Sequence, residues 1–167
     1  RMAKEAAKAS STDGHAFDVS QYPATSSLYY ESVYAPSFES EVLDCFDASG
    51  AGPDGTTHAV VLDATLFYPE GGGQEGDRGE LRQGETTVMV LDTQKVGDVI
   101  VHFTDAALEP SQPASGQLDW KRRKQLMDHH TAVHIVGGAA RRLLGPHIFQ
   151  AGSHLTVESG RLDITHF

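Results

Sequence analysis

Leu62-Asp-Ala-Thr-Leu-Phe-Tyr-Pro-Glu-Gly-Gly-Gly-Gln-Glu-Gly-Asp-Arg-Gly79 is the stretch that decides the fold. It leaves a strand-like segment and enters a glycine-rich turn. Glycines at 71, 72 and 73 let the backbone take positive φ and approach a neighbour or ligand closely, with Gln74 presented just after them. By itself such a run is an ordinary turn or a ligand-facing loop, and both readings stay open.

Upstream and downstream of this turn the apolar residues recur at every second position. Residues 38–45, 58–67, 86–92, 99–103 and 114–118 read as strands. Gly50 to Gly55 reads as a hairpin loop, Gln83-Gly84 and Gly97-Asp98 as turns, and Pro110 to Ser115 as a loop. Five or six short strands at regular spacing predict a small antiparallel β-barrel, because closure protects strand edges.

At Asp119 the period changes. Asp119 is a helix cap, Trp120 to Leu144 is the predicted helix, and Gly145-Pro146 stops it. Leu126, Val133, Gly137, Ala140 and Leu144 form its buried stripe, with His130 and His134 on the flank. Residues 148–152, 154–157 and 161–167 read as strands, so the barrel is followed by the beginning of an α+β domain. The organisation is a linker and docking segment at 1–37, a barrel at 38–118, and the first part of an α+β domain at 119–167. Within the first, Arg1 to Ser10 is Ala/Lys-rich and helix-like, Ser10 to Ser27 reads as a linker, and the Tyr-rich run from Leu28 to Tyr34 docks on the barrel domain. Simple packing is the favoured reading of those tyrosines over base stacking.

His130 and His134 lie one turn apart, so both imidazoles reach one ion. The same spacing suits two polar rings hydrogen-bonded at the edge of a core. Lys121, Arg122, Arg123 and Lys124 occupy the first helical turn, where positive charge opposes the macrodipole at about 0.3–1 kcal/mol each. That cost points to a phosphate ligand or to a solvated helix start.

Composition sets bounds. The 167 residues carry 13 basic and 23 acidic side chains, a formal charge of −10, which argues against a general nucleic-acid binder and against DNA. No apolar run is long enough for a membrane span. The single cysteine, Cys45, excludes an internal disulfide framework and reads as a small buried hydrophobe in a reducing cytoplasm. No Ser-His-Asp or Cys-His arrangement is evident.

Several of these motifs, in order, resemble one family. Residues 62–81 are similar to the glycine-rich motif of the editing module shared by alanyl-tRNA synthetases and freestanding AlaX-type deacylases. Met127-Asp-His-His-Thr-Ala-Val-His134 resembles that module's first zinc half-site, and Gln150-Ala-Gly-Ser153 and Arg161-Leu-Asp-Ile-Thr-His-Phe167 continue the likeness. Leu28-Tyr-Tyr-Glu31 is similar to the run that opens the module in archaeal-type members.

The resemblance implies a translation-protein-like barrel and an editing domain like that of threonyl- and alanyl-tRNA synthetases, cut from a longer chain. It implies a zinc ion on His130 and His134, whose other ligands come from a Cys-x-x-x-His motif beyond Phe167, with His154 and His166 as makeshift ligands. Thr65 and Gln74 are then the substrate-recognition residues, and Lys121 to Lys124 contact tRNA. The implied substrate is tRNA for alanine carrying serine or glycine, hydrolysed by water. ATP belongs to the aminoacylation core of the longer protein. A freestanding hydrolase and a non-catalytic tRNA-holding barrel are the alternatives.

Overall fold

The structure, a computed structural model, describes residues 18–166. Ser26–Ser27 (β1) is followed by a 3-10 turn at Leu28–Tyr30 and by the long strand β2, Ser37–Asp47. Next come β3 (His58–Leu62), β4 (Ala64–Thr65), β5 (Gly79–Gln83), β6 (Thr86–Val96), β7 (Val99–Thr104) and β8 (Gln112–Leu118). Six of them close an antiparallel barrel in the order β2-β3-β7-β6-β5-β8, while β1 pairs in parallel with β4 outside it. Closure leaves no unpaired edge in a sheet of short strands.

The barrel interior holds Phe38, Val42, Val60, Leu62, Phe67 and Leu81 among others. Alternate residues of β3 and β7 face outward and are also buried: Ala59, Val61, Val99, Val101 and Phe103 pack beneath Val19 and Tyr22. This corrects the linker reading for residues 18–27, while its part from Ser10 to Phe17 lies outside the described residues. Val19 is buried, and the Thr25 hydroxyl accepts a hydrogen bond from the Ile100 amide at 2.9 Å. Residues 18–27 are a cover over a second apolar face. The helix-like reading of Arg1 to Ser10 lies outside the described residues.

Other boundaries move for local reasons. The predicted 58–67 strand breaks at Asp63, whose carboxylate accepts from Ser40 Oγ at 2.6 Å and Glu41 N at 2.8 Å. Strand β5 escapes the periodicity because its five residues come directly after the glycine-rich motif. The predicted loop ending at Ser115 gives way to β8 from Gln112. Pro113 is tolerated there because β8 has only β2 beside it until Ser115, where pairing with β5 begins.

Helix α1, Trp120–Leu144, has the predicted bounds, with Asp119 accepting from Arg122 N at 3.0 Å. Leu126 and Val133 are buried, and Gly137 brings Leu162 against the helix. Leu144 is exposed, contrary to the predicted stripe, as are Ile135 and Leu143. The three predicted strands after the helix are two, β9 (Gln150–Leu155) and β10 (Gly160–Ile164), forming an antiparallel hairpin with a bulge between Asp163 and Ile164. No helix among the described residues is long and apolar enough to cross a membrane.

A buried histidine sits among the barrel's apolar residues. His102 has no exposed surface; Val60 O lies 3.1 Å from its Nδ1, and Thr65 Oγ1 lies 2.9 Å from its Nε2. A carbonyl only accepts, so Nδ1 carries the proton and Thr65 donates to Nε2. Burial pushes the His102 pKa down to about 4 from 6.5, so the folded state holds the ring neutral. Below pH 6.5 the unfolded chain binds the proton first, and stability falls from there towards pH 4 by about 1.4 kcal/mol per pH unit, roughly 3 kcal/mol in all. Urea midpoints between pH 7 and pH 4 will show this slope, and His102→Gln, though less stable throughout, will lack it. Equal slopes in the two proteins would refute the assignment.

Candidate functional site

The glycine-rich turn begins at a clasp. Asp77 Oδ2 accepts from the Tyr68 amide at 2.8 Å and Asp77 N donates to Tyr68 O at 2.9 Å, closing the loop between them. Inside it Gly71 and Gln74 exchange two backbone hydrogen bonds at 3.0 Å, with Gly72 (φ +60°) and Gly73 (φ +83°) at the apex. Two successive positive φ values are the pattern of a type I′ turn, which suits glycine. Gly73 has a second constraint: a Cβ there would collide with the backbone carbonyl of Ser153 on β9.

Three elements grip this turn. On the barrel side, Glu70 N donates to Thr93 O at 2.9 Å. On the hairpin side, Leu155 N donates to Gly73 O at 2.7 Å, Glu75 N to Leu155 O at 3.2 Å, and Ser153 Oγ to Gly72 O at 3.0 Å. On the helix side, Arg123 Nε donates to Asp77 Oδ2 at 2.7 Å and its guanidinium also reaches Leu66 O at 2.6 Å. Arg122 donates to Glu75 Oε2 at 2.7 Å and Gly76 O at 3.2 Å.

These contacts correct the phosphate reading of the basic cluster. Arg123 is 5% exposed and Arg122 largely buried, both committed to holding the turn. Lys124 pairs with Asp128 at 2.6 Å along the exposed helix face, and Lys121 is exposed. Four consecutive side chains point in different directions around a helix, so one cluster has two jobs. The charges that oppose the macrodipole are offset by carboxylates contributed by the turn.

The grip brings Gln74 to the helix. Gln74 is 4% exposed, and its Oε1 lies 2.9 Å from His130 Nδ1. The amide oxygen only accepts, so Nδ1 of His130 carries the proton and Nε2 keeps its lone pair. His130 and His134 stack at 5.1 Å between centroids with planes 22° apart. Burial, and then the neighbouring His134, lower the His130 pKa, which favours the neutral ring a metal requires. A ligating imidazole is characteristically oriented by a carbonyl or carboxylate on its other nitrogen, and Gln74 occupies that position. The pair therefore fits half of a zinc site. Among the described residues no group of three or more His, Cys, Asp or Glu gathers to hold a metal. His154 is exposed on β9, and His166 stacks on His147 with their nitrogens 3.1 Å apart, which corrects its reading as a makeshift ligand to the His130 pair.

Thr65 is placed elsewhere. It has no exposed surface, its hydroxyl donates to His102, and it accepts from Phe67 N at 3.1 Å. Its position sets the path by which the chain leaves the barrel for the turn. Cys45 packs against the barrel core, and burial pushes its thiol pKa up, so it stays protonated. Sequence reasoning missed Asp77, Glu75 and His129. His129 reaches Thr156 O at 2.8 Å and so ties the hairpin to the helix. The available signal for the first two was two acids in the turn matched against two arginines with no local partner. Beside His134 lies a cavity of about 220 Å³ lined by Val133, Gly137, Phe149, Gln150 and Ile164.

The family model described as tRNA synthetases class II (A) matches residues 1–122. The chain is similar to the alanine–tRNA ligase of Halobacterium salinarum, 47% identical over 145 residues, which is 87% of this chain and 16% of that protein. It is similar also to the alanine–tRNA ligase of Hyperthermus butylicus, 50% identical over 149 residues, 87% of this chain and 15% of that protein. The alanine–tRNA ligase of Sulfurisphaera tokodaii is 44% identical over 148 residues, with the same two shares. The chain thus spans about one sixth of the length of the curated relatives it matches.

Breaking the buried pair leaves an uncompensated charge. Arg123→Ala is expected to destabilise the chain by about 3–5 kcal/mol. Arg122→Ala, whose partner Glu75 is partly exposed, costs about 1 kcal/mol. Chemical denaturation of the two variants side by side checks the ranking, and equal losses would contradict it.

Proposed function

The chain belongs to the class II (A) tRNA synthetases, and from that membership we propose that its turn and helix form part of an editing site. The site hydrolyses tRNA for alanine that carries serine or, to a lesser degree, glycine. The observation that carries the reading is the 2.9 Å contact between Gln74 Oε1 and His130 Nδ1, which joins the glycine-rich turn to the histidine pair.

The chemical need for such a site is general. A pocket built for alanine's methyl group rejects slightly different amino acids weakly, so a second site must remove the errors. Gln74 suits that task because its Nε2 has no hydrogen-bond partner among the described residues and can donate to a seryl hydroxyl, which alanine lacks. The reaction is attack by water on the ester carbonyl, breaking the bond to the ribose oxygen and releasing the free amino acid. His130 and His134 are the residues that would hold zinc. When bound, zinc supplies a Lewis acid able to polarise an oxygen or fix the amino end of the substrate. Gln74 holds the His130 tautomer, Thr65 supports the turn from inside the barrel, and of the basic cluster Lys121 remains for phosphate contact, Lys124 being paired with Asp128. The longer protein would attach alanine to its tRNA with ATP in the cytoplasm.

Serine release from seryl-tRNA for alanine tests this. It is measured on the chain and on a longer form continuing through the Cys-x-x-x-His segment that the resemblance implies. His130→Ala and His134→Ala are expected to lower the rate at least ~100-fold, and Gln74→Ala, acting through the first histidine, about 10–100-fold. Removal of zinc with a chelator should match the histidine variants. If these variants release serine as fast as the parent and bind tRNA more weakly, the segment is a non-catalytic tRNA holder instead.

A further inference from the structure

The histidine pair begins a longer stripe on α1. His130, His134, Gly137 and Arg141 follow one another at intervals of four, three and four residues, the spacing that keeps side chains on one helix face. Past His134 the stripe becomes a trough. Gly137 and Gly138 leave the helix surface bare, and a Cβ on Gly138 would meet nothing within 4 Å. Phe149, Gln150 and Ile164 wall this trough into the cavity of about 220 Å³ that His134 and Arg141 both line.

Arg141 closes the far end. Its guanidinium carbon stands 5.0 Å from the centre of the Phe149 ring, over its face. The ring is 55% exposed, while its backbone is fixed: Phe149 N donates to Thr165 Oγ1 at 3.0 Å and Thr165 N to Phe149 O at 2.9 Å. No carboxylate pairs with Arg141 among the described residues, so the ring holds the guanidinium without neutralising it. The macrodipole favours a basic residue in the last helical turn wherever it points. Arg142 shows the difference: it shares that turn but borders Ile135 and Leu143 instead of this cavity.

Resting on the editing reading above, we infer that this cavity seats the terminal nucleotide of the acceptor arm, with Arg141 on its phosphate and Phe149 against its base. The ester under attack joins the amino acid to that nucleotide's ribose, so the seat must adjoin the histidine pair. Arg141 stands seven residues beyond His134, about 10 Å along the helix axis, a span that a ribose and its 5′ phosphate bridge with the side chains reaching in. Aromatic rings and guanidinium planes support unpaired bases, and a guanidinium forks onto phosphate oxygens.

The test uses two probes titrated by calorimetry into the 167-residue chain and into the longer form used for serine release. One is adenosine 5′-phosphate carrying serine as an amide on a 3′-amino group, which replaces the ester by a bond that resists water; the other lacks the phosphate. Arg141→Ala is expected to weaken the phosphorylated probe about 10-fold or more and to leave the other within about twofold, with Arg141→Lys recovering part of the loss. Phe149→Leu should weaken both probes by roughly 5- to 100-fold. Arg142→Ala removes the same charge from the same turn and should change neither by more than about twofold. Arg141 and Phe149 are exposed, so circular dichroism should show unchanged folding. The inference is overturned if the parent binds neither probe, if Arg141→Ala weakens both equally, or if Arg142→Ala matches it. It is overturned also if the variants bind as the parent does in the longer form, where a further segment would then fill the cavity. Serine release that fails while Arg141 still discriminates the phosphate removes only the editing reading. Serine release that proceeds while Arg141→Ala changes nothing removes only the seat.

Discussion

The ion pair between Asp77 and Arg123 is the interaction on which the site depends. Both side chains are almost wholly buried, and burial raises the Asp77 pKa even with the guanidinium beside it. Removing two charges from water is expensive, and their mutual attraction repays it only when hydrogen bonds complete the geometry. Here Asp77 Oδ2 also accepts from Tyr68 N, and Arg123 also donates to Leu66 O, while Asp77 Oδ1 remains buried without a partner. A pair with one such orphan contributes less to net stability than an apolar replacement could. What it provides is direction: the helix can enter at one angle and one rotation, with the turn closed at its base.

The rest of the site builds outward from that constraint. With the first turn of α1 anchored, His130 arrives two turns later opposite Gln74, and the Gln74 oxygen selects the imidazole tautomer. The hairpin β9–β10 closes the third side through Ser153 and Leu155, whose contacts reach the two apex glycines. Thr65 and His102 perform a similar service inside the barrel, fixing the strand end from which the turn departs. Each polar group near the turn is thus oriented by another. Such supporting contacts hold a reacting group in place without touching a substrate.

Much of this was legible in the residues themselves. Alternation placed most of the barrel strands, and Asp119, Gly145 and the change of period bounded the helix to the residue. The consecutive glycines marked a turn that only a residue tolerant of positive φ can make, and two histidines four apart marked one helix face. These are local properties, set by steric limits on φ and ψ, by capping hydrogen bonds and by side-chain periodicity. They need no knowledge of what lies opposite.

The partners of those features were decided only in three dimensions. Nothing local distinguishes Arg123, buried against Asp77 some 46 positions away, from Lys121, left in solvent. Nor does the tyrosine run announce that Tyr29 packs while Tyr30 and Tyr34 stay open, or Leu144 that no element covers it. Burial and charge pairing depend on segments distant in the chain, and a one-residue rotation of the helix would reassign every contact. Sequence determined the elements, the turn and the reactive side chains; tertiary packing decided which charges hold the site together and which remain free to meet a ligand.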